Sequence, residues 1–171
     1  MVTRKDERGR KTIYDLLPSW VLHDGWVPVG RLDRDSRGLL LLVNDSTLVE
    51  RLGAPGAYEK MYEILVRGHV KEEHLQKMRT GIESPVGLLQ CKEARIVGYI
   101  GPKTRLEIVL TEGKNRHIRR MLGALHDPVH RTPLKVVELK RVKFGALELD
   151  VPSGQHRFLT AAEEKQLLRN P

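Results

Sequence analysis

Charged stretches break the chain into short apolar runs, and the spacing within each run assigns an element. Arg4 to Arg10 is charged and reads as a loop; Lys11 to Leu17 predicts a short helical turn that Pro18 stops. After the polar segment Arg31 to Arg37, Gly38 opens the run Leu39-Leu40-Leu41-Leu42-Val43, too short for an ordinary helix and consistent with a buried strand. Asp45 is placed to cap a helix over Thr47 to Leu52, closed by Gly53 with Pro55 beyond it. Lys60 to Val66 predicts a strand with Tyr62, Ile64 and Val66 on one face, followed by a helix from Val70 to Thr80 closed by Gly81. Leu88 to Tyr99 and Thr104 to Thr111 predict two more strands, the second alternating Leu106, Ile108 and Leu110. A helix over Asn115 to Leu125, strands over Lys135 to Lys143 and Ala146 to Val151, and a final helix over Thr160 to Leu168 complete the pattern.

Strands and helices are mixed without strict alternation, which favours an α+β domain with a largely antiparallel sheet over a doubly wound parallel one. The 171 residues fit one domain, 1–171, with enough chain for a real core. No apolar run approaches the roughly 20 residues of a spanning helix, and the N-terminus has no apolar segment of the kind that directs secretion, so the cytoplasm is the expected compartment. The single cysteine, Cys91, excludes an internal disulfide and a zinc site on paired cysteines.

Thirty Lys and Arg against 22 Asp and Glu give a net charge of +8, a surplus that attracts polyanions and makes nucleic acid the leading partner. The charge is concentrated in two segments. In Gly30-Arg31-Leu32-Asp33-Arg34-Asp35-Ser36-Arg37-Gly38, glycines bracket two carboxylates, three arginines and a serine at the mouth of the apolar run. Loops at strand ends commonly present reactive groups, and an acid among arginines tends to stay ionised; a solvated loop with weak surface ion pairs is the competing reading. In Glu112 to Leu122, helical spacing puts Ile118, Met121, Leu122 and Leu125 in one apolar stripe and Arg116, Arg119 and Arg120 on another ridge. Like charges at that spacing weaken an isolated helix, so the ridge suits an anion, with a solvated cationic face as the alternative. Tyr62 by itself reads equally as strand packing. His126-Asp127-Pro128-Val129-His130 echoes a metal motif, but Pro128 breaks the helix that would align the histidines, and no metal is expected. No Gly-Lys-Ser or Gly-Lys-Thr phosphate loop occurs.

The run Gly30 to Asp45, "GRLDRDSRGLLLLVND", closely resembles the signature of the RsuA, RluB, RluE and RluF group of bacterial ribosomal RNA pseudouridine synthases. The resemblance extends through "GRKTIYDLLP", "KMYEILV", "EGKNRHIRRM" and "ELKRVKFGALELDVPSGQHRFLT", nearly the whole chain. It implies the pseudouridine synthase fold: an α+β fold with a bent, mixed, mostly antiparallel sheet, flanking helices and a central cleft. By position it implies Asp33 as the catalytic aspartate, Tyr62 as the active-site tyrosine, Arg119 as the arginine paired with the aspartate, and Leu139 as an apolar active-site residue. Arg31, Arg34, Arg37, Arg116 and Arg120 are the candidates for phosphate contacts or for filling the space of a flipped base. The implied reaction isomerises a uridine of structured RNA, ribosomal RNA by resemblance, without cofactor or metal and by a monomer. The alternative is a catalytically silent RNA-binding or ribosome-assembly module on the same fold.

Two departures from the family pattern bear on these expectations. Most relatives carry glutamine where His117 stands, which introduces a pH-sensitive group. The family also begins this domain with a strand, often preceded by a small RNA-binding domain. Met1 falls near that strand's end, so a truncated N-terminal strand, no accessory domain and weaker RNA affinity are expected.

Overall fold

The computed structural model describes residues 11–169; the loop assigned to Arg4–Arg10 lies outside the described residues. A 3-10 turn, Ile13–Leu16, leads to a short helix α1 (Ser19–His23). Strand β1 (Val27–Pro28) pairs antiparallel with β3 (Leu42–Val43), and β2 (Arg37–Gly38) lies between them in sequence but joins a different sheet. Helix α2 (Ser46–Gly53) follows, then β4 (Lys60–Arg67), α3 (Glu72–Thr80), β5 (Glu93–Ile100), β6 (Lys103–Leu110), α4 (His117–Gly123), β7 (Lys135–Phe144), β8 (Leu147–Glu148) and α5 (Ala161–Arg169). The main sheet runs β2-β7-β4-β6-β5, with β8 also on β7. Among the described residues only the β2–β7 pairing is parallel.

The long strands follow the sequence pattern. In β4, Lys60, Tyr62, Ile64 and Val66 are buried while Glu63 and Arg67 are exposed, the period of two that a half-buried strand requires. Ile64 is registered with Leu106 on β6 and Leu139 on β7, and Tyr62 with Ile108. Leu75 and Met78 of α3 and Ile118, Met121 and Leu122 of α4 join these strand residues in one core cluster. A second cluster gathers Val29, Leu41, Val43, Leu52 of α2, Tyr58, Phe144, Leu147 and Leu167 of α5. Phe144, at the end of β7, stacks on Tyr58 with ring centres 5.3 Å apart and ties the second cluster to the main sheet.

The structure corrects several predicted boundaries. The run Leu39 to Val43 is not one buried strand: Gly38 ends a parallel pairing, Leu39 to Leu41 form no ladder, and Leu42–Val43 pairs elsewhere. The run is divided because Leu39, Leu41 and Val43 pack in the second cluster while the backbone changes partners from β7 to β1. Strand β5 begins at Glu93 rather than Leu88, since Leu89 is taken up in a bridge to Ile82. Helix α3 starts two residues late, at Glu72, and α1 was not anticipated; its five residues are too few for a periodic signal. Helix α4 covers only His117–Gly123, because Arg116 adopts a left-handed conformation, φ 52°, and serves as its N-cap.

Candidate active site

The Gly30–Gly38 loop is held at both ends by backbone geometry. At one end Gly30 has φ 71°. At the other, Gly38 has φ 111°, and a Cβ there would lie 2.2 Å from the Arg141 carbonyl oxygen, so only glycine permits the close approach of β2 to β7. Leu39 N–H donates to the Arg141 carbonyl at 2.8 Å, and Arg141 Nε donates to the Leu39 carbonyl at 2.7 Å. One residue of β7 therefore grips the stem of the loop from main chain and side chain. At the tip, Ser36 N–H donates to the Asp33 carbonyl at 2.9 Å, closing a tight turn through Arg34 and Asp35. The Asp33 carboxylate stands on this turn, 28% exposed.

Helix α4 supplies the facing group. Ile118, Met121 and Leu122 are buried in the core and fix the rotation of the helix, which leaves Arg119 on the flank toward the loop. Arg119 Nη1 donates to the Val136 carbonyl of β7 at 3.2 Å and lies 3.3 Å from Asp35 Oδ2; Nη2 donates to the Asp35 carbonyl at 2.7 Å. Its Nε is buried, without a hydrogen-bond partner among the described residues, and 4.0 Å from Asp33 Oδ2. Arg116 reaches the same Asp35 carboxylate through contacts of 3.3 and 3.4 Å. Burial opposes ionisation of Asp35, but hydrogen bonding to Arg116 and the charges of both arginines outweigh it and hold the carboxyl below its ordinary range.

The arginine ridge expected on α4 is thus dispersed. Arg116 leaves the helix through its left-handed backbone, Arg119 turns into the loop, and Arg120 folds back on Asn115, donating to its carbonyl at 3.0 Å and its side-chain oxygen at 3.1 Å. Arg37 is engaged by Glu138 of β7. Arg31 and Arg34 are exposed and have no carboxylate partner among the described residues.

Tyr62 and Leu139 belong to the sheet core, 9% and 6% exposed. Tyr62 is registered with Arg141 on one side of β7, and Gly38 is registered with the same residue on the other. The stem of the Asp33 loop and Tyr62 are accordingly two strand spacings apart, roughly 10 Å. Asp33 and Arg119 meet at the loop, and Tyr62 lies in the sheet two strands from the stem of that loop.

Asp35 and Arg141 were not singled out from the sequence. Asp35 was visible as the second carboxylate of the loop; Arg141, 3% exposed within a strand, left no signal. Arg141 lies near a second buried cation, Lys60, whose ammonium is pushed below its usual range by burial and then by the charge of Arg141. The His126-Asp127-Pro128-Val129-His130 segment is a turn: the Asp127 carboxylate accepts the main-chain N–H groups of His69, Val129 and His130 at 3.1, 2.7 and 3.2 Å. A groove of about 760 Å³ beside the second cluster is lined by Trp20, Trp26, Phe158 and the Leu39–Val43 run, and contains none of Asp33, Tyr62 and Arg119. His117, which begins α4, is 4% exposed, and burial holds it below the usual histidine range.

Comparison with known proteins places this geometry in context. The family model for RNA pseudouridylate synthase matches residues 3–124. An uncharacterized RNA pseudouridine synthase of Aquifex aeolicus is 38% identical over 163 residues, 94% of this chain and 62% of that protein. The ribosomal large subunit pseudouridine synthases B of Haemophilus influenzae and Vibrio vulnificus are 33% and 34% identical, over 87% and 88% of this chain but 40% and 45% of their own lengths. The chain therefore spans less than two thirds of these relatives. Among solved structures, a pseudouridylate synthase superposes with a TM-score of 0.74 at 28% identity, covering 91% of this chain and 65% of that one. A chain of the archaeal box H/ACA sRNP Nop10-Cbf5 complex, 18% identical with a TM-score of 0.56, shares the fold.

Proposed function

The chain belongs to the RNA pseudouridylate synthase family, and on that premise we propose that it isomerises uridine to pseudouridine in structured RNA, with ribosomal RNA as the substrate class and Asp33 as the essential carboxylate. The observation that carries the reading is the 28%-exposed Asp33 carboxylate on an anchored turn, with the buried Nε of Arg119 4.0 Å away. The ribosomal substrate is supported by the names of the Haemophilus influenzae and Vibrio vulnificus relatives.

The reaction breaks the bond between the sugar and N1 of uracil, turns the base, rejoins it through C5 and moves the C5 proton to N1. Atoms and electrons balance within the substrate. A carboxylate suffices for it, acting as nucleophile toward the sugar or base, or as the base that removes a sugar proton. Arg119 sets a positive charge beside Asp33, its Nε 4.0 Å from Oδ2. Among the described residues no close hydrogen bond occupies the Asp33 carboxylate, which leaves its lone pairs open to substrate. Tyr62 packs against the uracil and assists the final deprotonation.

A uridine within folded RNA leaves its stack at a cost of roughly a few kcal/mol, which phosphate contacts offset. Arg31 and Arg34, exposed beside Asp33, are the first candidates for those contacts, with Arg37, Arg116 and Arg120 around them. Asp33, Arg119 and Tyr62 all come from one chain, so a monomer suffices.

Unmodified ribosomal RNA incubated with the protein and mapped chemically for pseudouridine tests the proposal. Wild type should modify a defined uridine, and Asp33→Asn should lower the rate by about 10³-fold or more with RNA binding retained. Tight binding with no pseudouridine from wild type would instead support a silent RNA-binding module.

A further inference from the structure

The Asp33 loop carries two carboxylates, and the arginine opposite divides its contacts unequally between them. Asp35 holds Arg119 twice, through its main-chain oxygen at 2.7 Å and its carboxylate at 3.3 Å, while Asp33 stands 4.0 Å from Nε. Val136 of β7 supplies the third anchor at 3.2 Å. We infer that Asp35 is a positioning residue for the reaction: it takes the close contacts with Arg119 and thereby presents that guanidinium to Asp33 without tying Asp33 up. The inference rests on the pseudouridine synthase reading above.

The physical argument concerns what a reactive carboxylate needs. A close bidentate pair with arginine would occupy both oxygens of Asp33 and weaken it as nucleophile or base. Without any cation it would have no fixed opposite charge beside it in a partly buried place. Asp35 resolves the conflict, since a cation fixed by a neighbouring carboxylate and two carbonyls exerts charge on Asp33 while making its hydrogen bonds elsewhere. Arg119 also has a long side chain with much rotamer freedom, and its three anchors remove that freedom before RNA arrives. Arg116 shares the Asp35 carboxylate at 3.3 and 3.4 Å, the same range as Arg119, but is 45% exposed against 10% for Arg119, so the buried guanidinium is the one whose placement the carboxylate constrains more.

The experiment compares wild type, Asp35→Asn, Asp35→Glu, Arg119→Gln and the double variant Asp35→Asn/Arg119→Gln, with two readouts. Single-turnover pseudouridine formation in unmodified ribosomal RNA should fall about tenfold in Asp35→Asn, less than the about hundredfold that a 1 Å misplacement costs, because the main-chain contact persists. RNA affinity should stay level or rise, and Asp35→Glu should restore part of the rate. In the Arg119→Gln background, Asp35→Asn should add no further loss. The second readout needs no activity: in ¹⁵N NMR of the free protein, the Arg119 Nε–Hε signal should be narrow with slow guanidinium rotation in wild type, and averaged in Asp35→Asn. A wild-type rate and an unchanged Arg119 signal in Asp35→Asn would overturn the inference, as would losses that multiply in the double variant. Wild type that modifies no RNA overturns the functional reading instead, and the NMR comparison then decides the positioning role alone.

Discussion

The two core clusters are built differently, and the candidate site depends on both. The main-sheet cluster rests on β4, β6 and β7, strands of eight to ten residues paired along the length of β4, with two register shifts in the β4–β7 ladder. The second cluster buries residues of comparable size, but around two-residue strands and loops, with Tyr58, Phe144 and Leu167 as its joints. In the first, repeated hydrogen bonds hold the side chains in register; in the second, the side chains hold the backbone. The Asp33 loop leaves the second cluster at Gly30 and is fastened to the first at Gly38, so its position reports on both.

The largest test of that difference is a pair of core truncations. Leu106→Ala in β6 and Leu52→Ala in α2 each remove a side chain no more than 1% exposed and should each cost about 2–5 kcal/mol in urea unfolding. Their amide hydrogen exchange should differ. Leu106→Ala should accelerate exchange throughout, while Leu52→Ala should accelerate it chiefly in residues 27–53 and 161–169 through local opening. Equal acceleration everywhere in both variants would show that the clusters unfold as one.

Gly38→Ala addresses the junction. The added Cβ meets the Arg141 main chain and the backbone conformation is strained for any side chain, so a cost of about 1–3 kcal/mol is expected. Pseudouridine formation should fall with it, since the stem of the Asp33 loop must leave β7; denaturation and single-turnover kinetics on one preparation check both. A smaller effect is expected from Tyr58→Phe, which removes the hydroxyl that donates to the Leu167 carbonyl of α5. Loss of that buried bond should cost about 1 kcal/mol, with the activity intact.

The smallest effect concerns pH. His117 is held neutral by burial, its folded-state pKa below the ordinary 6.5. The unfolded chain therefore takes up this proton first as pH falls. The stability associated with neutral His117 is fully present above about pH 6.5 and is lost progressively below it, toward the folded-state pKa. His117→Gln should shrink the drop in melting temperature between pH 7.5 and 5.5. His74, lowered in the same direction chiefly by burial, accounts for part of the remainder. An unchanged drop in the variant would place the sensitivity elsewhere.

The pattern of residues was sufficient wherever a local period recurs. Tyr62, Ile64 and Val66 on one face of β4, Leu106, Ile108 and Leu110 on β6, and the stripe Ile118, Met121, Leu122 on α4 could be read directly, because burial of one face imposes its period on the sequence. The family signature likewise marked Asp33, Tyr62 and Arg119, since motif matching requires no contact to be known. The sequence could not show that Leu39 to Val43 would divide between two sheets, for an apolar run looks the same whichever strand receives its backbone. Nor could it show that three arginines at helical spacing would part. That followed from a left-handed Arg116, a loop carboxylate at Asp35 and the reach of Asn115. These are contacts between segments distant in sequence or departures from regular backbone. They depend on which groups folding brings together, and so only the tertiary structure decided that Arg119 is held by Asp35 while it faces Asp33.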